Sequence, residues 1–369
     1  MKRKWQICST EELLTILSIT NEQLKLAISE SNINNYYANT YEVKKKNGIR
    51  EICNVDKSNP LYAIQKKIYK YFLSNIMVSD NAYGFRKGSN YYDFLSCHLN
   101  FYKNSFFLRL DISSFFDSIS EDLVRETFSY YVSKEKNAID NTENISEVIT
   151  DTNVLDIICK ILTYNGKIVQ GAPSSPAVSN IIFRQLDIRI EKYCDAYGVQ
   201  YSRYADDMLF SANNDTIHGK RFITGINSII GSKGFKLNNN KIIRAKDEIS
   251  LNGFVVGENL RLSRKKMSRL LSALYYLEKD KRSVIDTSFW EDFNSNLSRC
   301  PATKTLHFKN DYELINYLAG NRSFLLASIT NSNSEQYLNR CKRIIKRLEI
   351  QIKKYTAPKL KESKKRITA

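Results

Sequence analysis

Two adjacent aspartates stand in an otherwise apolar stretch, YSRYADDMLFSAN, at residues 201 to 213. Neighbouring residues on a strand point to opposite faces, so Asp206 and Asp207 can face one site only at the tip of a hairpin. We therefore predict a hairpin turn at the pair. Two carboxylates held close repel each other unless a cation occupies the site. An ion pair with Arg203, three residues earlier, is the alternative that the sequence leaves open.

A third carboxylate follows a second apolar run. The stretch FFLRLDISSFFDSI, residues 106 to 119, predicts a buried strand that ends on Asp111 and is followed by a turn. Three carboxylates provide the oxygen ligands that Mg²⁺ prefers. Two such ions about 3.5–4 Å apart can activate an attacking hydroxyl and stabilise a leaving pyrophosphate. We therefore predict phosphoryl transfer at a site of two Mg²⁺ ions, with polymerase and nuclease both open.

The net charge favours nucleic acid as the substrate. The 369 residues include 56 Lys and Arg against 39 Asp and Glu, a net charge of +17, and such an excess is typical of proteins that bind a polyanion. Residues 340 to 369 alone hold twelve Lys and Arg and two Glu, a net of +10.

Composition also indicates the compartment. No apolar run reaches the roughly 18 residues of a membrane span, and the first residues lack the apolar core of a secretion signal. None of the seven cysteines forms a CxxC pair, so we expect reduced thiols, no zinc site and a cytoplasmic protein without a membrane partner.

Apolar periodicity and turn residues predict the elements around these aspartates. Residues 133 to 153 are polar and partly acidic, which indicates a surface insertion, and Asn47-Gly48 predicts a tight hairpin turn. Helices are expected as two short segments between residues 10 and 35, at a segment with Ile64, Ile68, Tyr71 and Phe72 on one face, and at 177–198, 264–278 and 336–355.

Five stretches together resemble the motif blocks of reverse transcriptases, in the order of that family. The Y-x-D-D box and the block with the first catalytic Asp are among them: AYGFRKGSN (82–90), LDISSFF (110–116), QGAPSSP (170–176), YADD (204–207) and GFKLNNNK (234–241). The resemblance spans roughly Tyr41 to Val256. It implies an α+β right-hand polymerase fold, with N-terminal helices and fingers in 1–105, a palm in 106–257 and a helical thumb with a basic tail in 258–369.

The resemblance also implies a role for each block. Asp111, Asp206 and Asp207 are expected to be catalytic metal ligands, with Ile112 beside them, and Lys241 a general acid near the departing pyrophosphate. Nucleotide contacts are implied for Lys46, Arg50, Phe116, Gln170 and Gly171, and primer or template contacts for Tyr204, Arg86 and Lys87.

Two of these blocks have a physical reason beside the resemblance. The resemblance places Phe116 at the family's steric gate, where the bulk of the ring would exclude a ribose 2′-OH and so select deoxynucleotides, although a lone Phe is more often part of a core. In QGAPSSP, Gly171 permits an unusual backbone turn, Ser174 or Ser175 can cap a helix, and Pro176 suits the first helical position. We therefore expect Gln170 and Gly171 beside the N-terminus of a helix.

The compact chain, with QGAPSSP, RYADD and a basic C-terminal helix, most resembles retron reverse transcriptases. That resemblance implies copying of part of a cognate structured non-coding RNA from an internal guanosine 2′-OH. The product would be branched RNA–DNA made from dNTPs, often in phage defence with an effector protein. Two departures concern RNA recognition: FLSCH (94–98) keeps only His98 of an N-A-x-x-H element, and LNG (251–253) stands where V-T-G is usual.

Other readings remain open at this point. They are another stand-alone bacterial defence reverse transcriptase, a group II intron relative, an inactive RNA-binding scaffold and a metal-dependent nuclease.

The C-terminal helix combines an apolar stripe with a basic surface. The stripe consists of Leu338, Cys341, Ile345, Leu348 and Ile352. We expect the cognate RNA to bind the opposite surface, here called the C-terminal basic face, which consists of Lys342, Arg343, Lys346, Arg347, Lys353 and Lys354.

Overall fold

The computed structural model describes residues 7–45, 48–53, 55–99, 105–132, 154–280, 282, 287–330 and 334–367, with backbone only at 44–45, 48–51 and 357–367. The chain divides into two compact units. The first comprises Met1–Phe94, Leu108–Phe210 and Thr216–Ile243, and the second comprises Leu95–Phe107, Ser211–Asp215 and Arg244–Ala369. The predicted insertion at 133–153 lies outside the described residues, and the division into three domains stays a prediction.

Helices and short strands alternate along the chain, which confirms the predicted α+β class. The helices are α1 (Thr10–Leu17), α2 (Asn21–Ala27), α3 (Glu30–Tyr37), α4 (Pro60–Tyr71), α5 (Tyr91–Ser96), α6 (Glu121–Phe128), α7 (Val154–Leu162), α8 (Ser175–Asp195), α9 (Lys220–Gly231), α10 (Arg264–Lys279), α11 (Thr287–Arg299), α12 (Asp311–Thr330) and α13 (Glu335–Ile367). The strands are β1 (Thr40–Lys45), β2 (Gly48–Cys53), β3 (Phe106–Asp111), β4 (Thr163–Tyr164), β5 (Lys167–Ile168), β6 (Gln200–Tyr204), β7 (Asp207–Ala212), β8 (Ile243–Lys246), β9 (Ile249–Leu251), β10 (Phe254–Val256) and β11 (Arg261–Leu262).

The first helices begin where their capping residues predict, but there are three of them rather than two. The Ser9 hydroxyl accepts a hydrogen bond from the Glu12 N–H, and Thr20 forms a reciprocal capping box with Gln23. Each cap satisfies backbone N–H groups that a helix N-terminus leaves without an intrahelical partner. On α4 the expectation for Tyr71 is wrong, since 42% of this residue is exposed. Phe72, the residue after the helix, is buried with Ile64 and Ile68 instead.

The β1–β2 hairpin confirms that strands flank the Asn47-Gly48 signal but shifts the turn. Lys45 pairs with Gly48, so Gly48 begins β2 instead of standing within the turn. The paired strands need no positive φ at that glycine. Lys46 and Asn47 lie outside the described residues.

A four-stranded sheet with the order β6-β7-β3-β8 carries the three aspartates. Four of the six residues of β3 are buried, on both faces of the strand, as expected for a strand covered on both sides. Helix α8 packs against β6. Next to the sheet, the rings of Phe115, Phe183 and Phe235 lie 5.2 to 5.8 Å apart and form an aromatic core.

The second unit is largely helical. Helix α12 packs along α13, and α10 packs against α11 and α13. A three-stranded sheet has the order β11-β10-β9. The sequence patterns do not predict α11 and α12; α12 carries apolar residues on nearly every side, so it shows no amphipathic stripe. Across the described segments, every helix is too short or too polar to cross a bilayer.

Candidate active site

The aspartate doublet lies at the connection between β6 and β7, as predicted. Strand β6 ends at Tyr204 and β7 begins at Asp207, so Ala205 and Asp206 form a two-residue connection. Ala205 has φ of +57°, a left-handed conformation that side-chain-bearing residues rarely adopt. Because Asp206 lies in this tight turn, its side chain need not follow the alternating directions of side chains along a strand.

Arg203 does not pair with the doublet, so the alternative ion pair is wrong. Its guanidinium makes a bidentate ion pair with Asp187 of α8, with N–O distances of 2.8 and 2.7 Å. Both side chains are completely buried. Asp187 stands on the buried side of α8 among apolar residues, and a buried carboxylate there requires a partner. That requirement is the signal by which the sequence could have identified Asp187.

Asp207 has a cationic partner that sequence reasoning missed. Arg109 of β3 donates from Nε and Nη2 to Oδ1 of Asp207, at 2.9 and 2.5 Å. Burial raises the pKa of Asp207, the Arg109 charge opposes that rise, and the charges of Asp206 and Asp111 add to it. The three carboxylates therefore lie close enough to interact. Arg109 lies two residues before Asp111, on the same face of the strand, and this spacing is the signal that could have found it.

Strand β3 ends at Asp111, as predicted, and only 3% of this residue is exposed. Lys241, from the short turn Asn239–Lys241, donates to both of its carboxylate oxygens at 2.7 and 2.8 Å. The structure thus places Lys241 in the site, where it is paired with the Asp111 carboxylate. The Asn238 N–H donates to the Asp111 carbonyl at 2.8 Å, and the Ile112 N–H donates to the Asp206 carbonyl at 3.0 Å.

The acidic cluster provides oxygen ligands but two of its members are already paired. Among the described residues, no set of three His, Cys, Asp or Glu side chains is arranged as a metal centre. Arg109 and Lys241 neutralise Asp207 and Asp111, whereas the Asp206 carboxylate makes no hydrogen bond or ion pair with any described residue. The donor chemistry of Asp111 and Asp206 fits a hard divalent cation. Lys241, whose side chain is 47% exposed, can leave Asp111 without crossing a packed core.

Aromatic rings surround Tyr204, beside the turn. The centroid of its ring lies 5.0 Å from that of Tyr91, 5.9 Å from Phe94 and 6.5 Å from Phe85. Phe116 is only partly buried and lies 6.1 Å from Phe85. The neighbouring ring of Phe115 fills the core instead. Phe116 therefore keeps a surface toward solvent, which a residue of a closed core would lack.

The segment before α8 is held against β2. The Cys53 N–H donates to the Gln170 carbonyl at 3.2 Å. Gly171 has φ of +119°, and a Cβ at this position would lie 2.1 Å from the Cys53 carbonyl oxygen. Only glycine fits so close a backbone approach. Gln170 and Gly171 lie just before α8, as expected, and α8 begins with Pro176 in its first turn.

The expected serine cap of α8 is wrong. Ser174 makes no capping hydrogen bond, and its buried hydroxyl has no partner in the described residues. Ser175 donates to the Val169 carbonyl instead, at 2.7 Å. Ser174 has helical backbone angles, which turn its hydroxyl away from the N–H groups that a cap would serve.

The remaining nucleotide and primer residues are dispersed. Arg86 pairs with the exposed Asp80 at 2.9 Å, and Lys87 is exposed. Arg50 pairs with Val43 through the backbone of the β1–β2 hairpin. The side chain of Arg50, and Lys46 altogether, lie outside the described residues.

The C-terminal basic face is largely accessible. Of its six residues, all but Arg347 are exposed. Arg347 makes a bidentate ion pair with Glu278 of α10, at 2.8 and 2.7 Å. On the opposite side of α13, Cys341, Ile345 and Leu348 are buried as predicted.

His98 is completely buried, with Nδ1 2.6 Å from the Ser211 hydroxyl. Burial lowers the pKa of His98 to about 3, so the imidazole is neutral at physiological pH. It lies away from the surface that an RNA could reach.

Comparison with known proteins assigns the central part of the chain. Residues 43–256 match the family model described as "Reverse transcriptase (RNA-dependent DNA polymerase)". The chain is 28% identical to the Retron Ec86 reverse transcriptase of Escherichia coli over 252 residues, which cover 67% of this chain and 72% of that protein. It is also 28% identical to the Retron Ec83 reverse transcriptase of Escherichia coli, over 61% of this chain and 70% of that protein. Among solved structures, a telomerase from Candida albicans is 13% identical, with a TM-score of 0.47, and the alignment covers 86% of this chain and 64% of the telomerase chain.

Proposed function

Because the chain belongs to the reverse transcriptase family of RNA-dependent DNA polymerases, we propose that it copies part of a cognate structured RNA into DNA. The family confirms the predicted enzyme class and the right-hand polymerase type of fold. The observation that carries the proposal for the site is the position of Asp206. Its carboxylate has no described partner, and its backbone is joined to Ile112, the residue after Asp111, by a hydrogen bond of 3.0 Å.

Asp111 and Asp206 would hold the Mg²⁺ ions, with Asp207 completing the acidic cluster and Ile112 adjoining it. Two ions at such a site would activate the primer hydroxyl and stabilise the leaving pyrophosphate. Lys241 is held at Asp111 through two hydrogen bonds. We propose that the Lys241 ammonium moves away from the Asp111 carboxylate and then donates a proton to the pyrophosphate.

The dNTP would lie between the turn before α8 and the ring of Phe116. Gln170 and Gly171 are fixed by the backbone contact with Cys53, and Phe116 would exclude a ribose 2′-OH by bulk. Lys46 and Arg50 would contact the triphosphate. Tyr204, Arg86 and Lys87 would contact primer or template.

The similarity to retron reverse transcriptases supports a proposal for the RNA and its products. We propose that the chain is a divergent retron reverse transcriptase that starts DNA synthesis from an RNA 2′-OH and yields branched RNA–DNA in the cytoplasm. The C-terminal basic face would hold the cognate RNA. A defence role against phage, together with an effector protein, is part of the same proposal.

Primer extension with Asp206→Asn and Asp111→Asn tests the site. We expect no DNA synthesis from primed RNA, dNTPs and Mg²⁺ with either variant, while RNA affinity and thermal melting stay near those of the parent. Asp215→Asn removes one exposed carboxylate near the end of β7 and is the matched control, which should remain active. Residual synthesis above a few per cent in both site variants would reject the assignment.

The same assay separates the other classes of function. Shortening of the primed RNA without extension would indicate a nuclease, and no reaction by the parent would indicate a binding scaffold. Sequencing the nucleic acid that co-purifies with the chain tests the retron assignment: DNA joined covalently to a small RNA supports it, and RNA alone contradicts it.

A further inference from the structure

A fully buried ion pair lies directly behind the Ala205–Asp206 turn. The Arg203 guanidinium donates from Nε and Nη2 to the two carboxylate oxygens of Asp187 on α8. The Tyr201 hydroxyl donates to the same carboxylate at 2.8 Å. The Phe183 ring adds a cation–π contact, with its centroid 4.5 Å from the guanidinium carbon. Burial lowers the pKa of Arg203, but Asp187 outweighs this and raises it overall, so Arg203 is charged.

The third nitrogen of Arg203 reaches the turn itself. Its Nη1 donates to the Ala205 carbonyl at 3.0 Å. This carbonyl belongs to the peptide that joins Ala205 to Asp206. Because Ala205 has a positive φ, its conformation is strained and persists only when the surroundings hold it.

The backbone on either side of the turn is also held. The Tyr83 N–H donates to the Arg203 carbonyl at 2.9 Å, and the Ile112 N–H donates to the Asp206 carbonyl. A Cβ at Gly84 would lie 2.7 Å from the Ala205 nitrogen, so the Gly84 backbone packs directly on the turn. The peptide between Ala205 and Asp206 therefore has a fixed orientation, and Arg203 is the side chain that sets it.

Stability alone is a weak reason for this arrangement. Removing two charges from water is costly, and apolar residues of similar volume are often as stable or more so. An apolar pair, however, could not hold a carbonyl oxygen. Arg203 belongs to β6, and its rigid planar guanidinium binds both α8 and the turn.

We propose that Arg203, held by Asp187, is a positioning residue for DNA synthesis. It fixes the depth and orientation of Asp206 relative to α8, whose first turn follows Gln170 and Gly171. This inference rests on the proposed role of Asp206. Because the Arg203 side chain is completely buried, it would act on the rate of the chemical step through the position of Asp206 and not through a contact with substrate.

The test removes the pair without leaving a buried charge. The triple variant Tyr201→Phe/Asp187→Leu/Arg203→Met is compared with Tyr201→Phe, because the tyrosine hydroxyl would otherwise lose its acceptor. We measure kcat and KM for dNTP, the Kd for primer–template and the thermal midpoint. A displacement of Asp206 by about 1 Å should lower kcat by roughly 10- to 100-fold. KM and Kd should stay within about twofold, because no substrate contact is removed.

Arg203→Lys is the second variant. A lysine keeps a cation for Asp187, but one ammonium lacks the fork that reaches Asp187 and the Ala205 carbonyl together. We expect a lower kcat with unchanged KM and a melting midpoint close to that of the parent.

Three results overturn the proposal. They are a kcat within twofold of the reference in a folded variant, a rise in KM alone, and loss of folding in both variants, which would make the pair purely structural. Asp206→Asn in the same assay distinguishes a failure of this inference from a failure of the proposed site. If Asp206→Asn is inactive and the Arg203 variants are fully active, only this inference fails; if Asp206→Asn is active, the proposed site fails.

Discussion

The ion pair between Arg109 and Asp207 should contribute measurably to the stability of the fold. Both side chains are mostly buried, with 19% and 14% of their surfaces exposed. Arg109→Met keeps the aliphatic stem but leaves a largely buried carboxylate next to two others. Breaking a buried pair from one side costs about 3–5 kcal/mol. Because some solvent still reaches this pair, we expect a loss near the lower limit, about 3 kcal/mol.

A double-mutant cycle gives the interaction itself. Asp207→Asn keeps the shape and one acceptor oxygen, so it should cost about 2 kcal/mol, the usual value for a hydrogen bond to a charged group. The double variant should cost about 3 kcal/mol instead of the sum of about 5, since neither partner is then left charged and unpaired. The coupling energy is therefore expected to be about 2 kcal/mol. Urea unfolding of the four proteins, followed by circular dichroism, measures it.

A surface pair serves as the control for this cycle. Lys167 and Asp117 are 2.6 Å apart with 47% and 61% of their side chains exposed, and such pairs contribute about 0–1 kcal/mol. The cycle of Lys167→Met and Asp117→Asn should thus give a coupling well below that of Arg109 and Asp207. Equal couplings, or a value under about 0.5 kcal/mol for the buried pair, would show that Arg109 does not hold Asp207.

Three further predictions concern specificity, pH and RNA binding. Phe116→Ala should admit ribonucleotides in primer extension, and unchanged selectivity with full activity would make Phe116 a packing residue. Because the pKa of His98 is about 3 when folded, only the unfolded chain binds this proton between pH 6.5 and 3. Stability should therefore fall by up to about 1.4 kcal/mol per pH unit below pH 6.5; His98→Asn should remove that part of the slope in urea unfolding, and parallel curves would contradict it. A third variant carries Gln at three exposed positions of the C-terminal basic face: Lys342, Arg343 and Lys346. It should flatten the log–log salt dependence of RNA affinity by about two to three units, and an unchanged slope would contradict RNA binding at this face.

Local patterns were sufficient to predict where the three aspartates of the candidate site lie. The end of β3 at Asp111, the turn at Asp206 and the start of α8 near Pro176 all follow from short-range rules of strands, turns and helix N-termini. Strands β6 and β7 are buried along most of their length, and the two carboxylates stand where the first strand gives way to the second. These features depend on neighbours in the chain, which a sequence displays directly.

Partners distant in the chain were not predictable in the same way. Arg109 and Asp207 are 98 positions apart, and Lys241 and Asp111 are 130 apart. Arg203 has an acidic residue three positions away, yet it pairs with Asp187 of α8. The choice depends on which carboxylate the fold buries beside the guanidinium. Proximity in sequence favours the wrong partner because a strand and its following turn point their side chains in different directions.

Lys241 and Arg109 give the acidic cluster counter-ions that belong to the chain. Three carboxylates carry three negative charges, and these two residues return two positive charges. The fold therefore brings the acidic cluster close to electroneutrality by itself. Folding should therefore not depend on the supply of divalent ions, whereas the proposed DNA synthesis would. A chelator should accordingly stop synthesis while leaving the protein folded, unlike its effect on a domain whose structure is built around a metal.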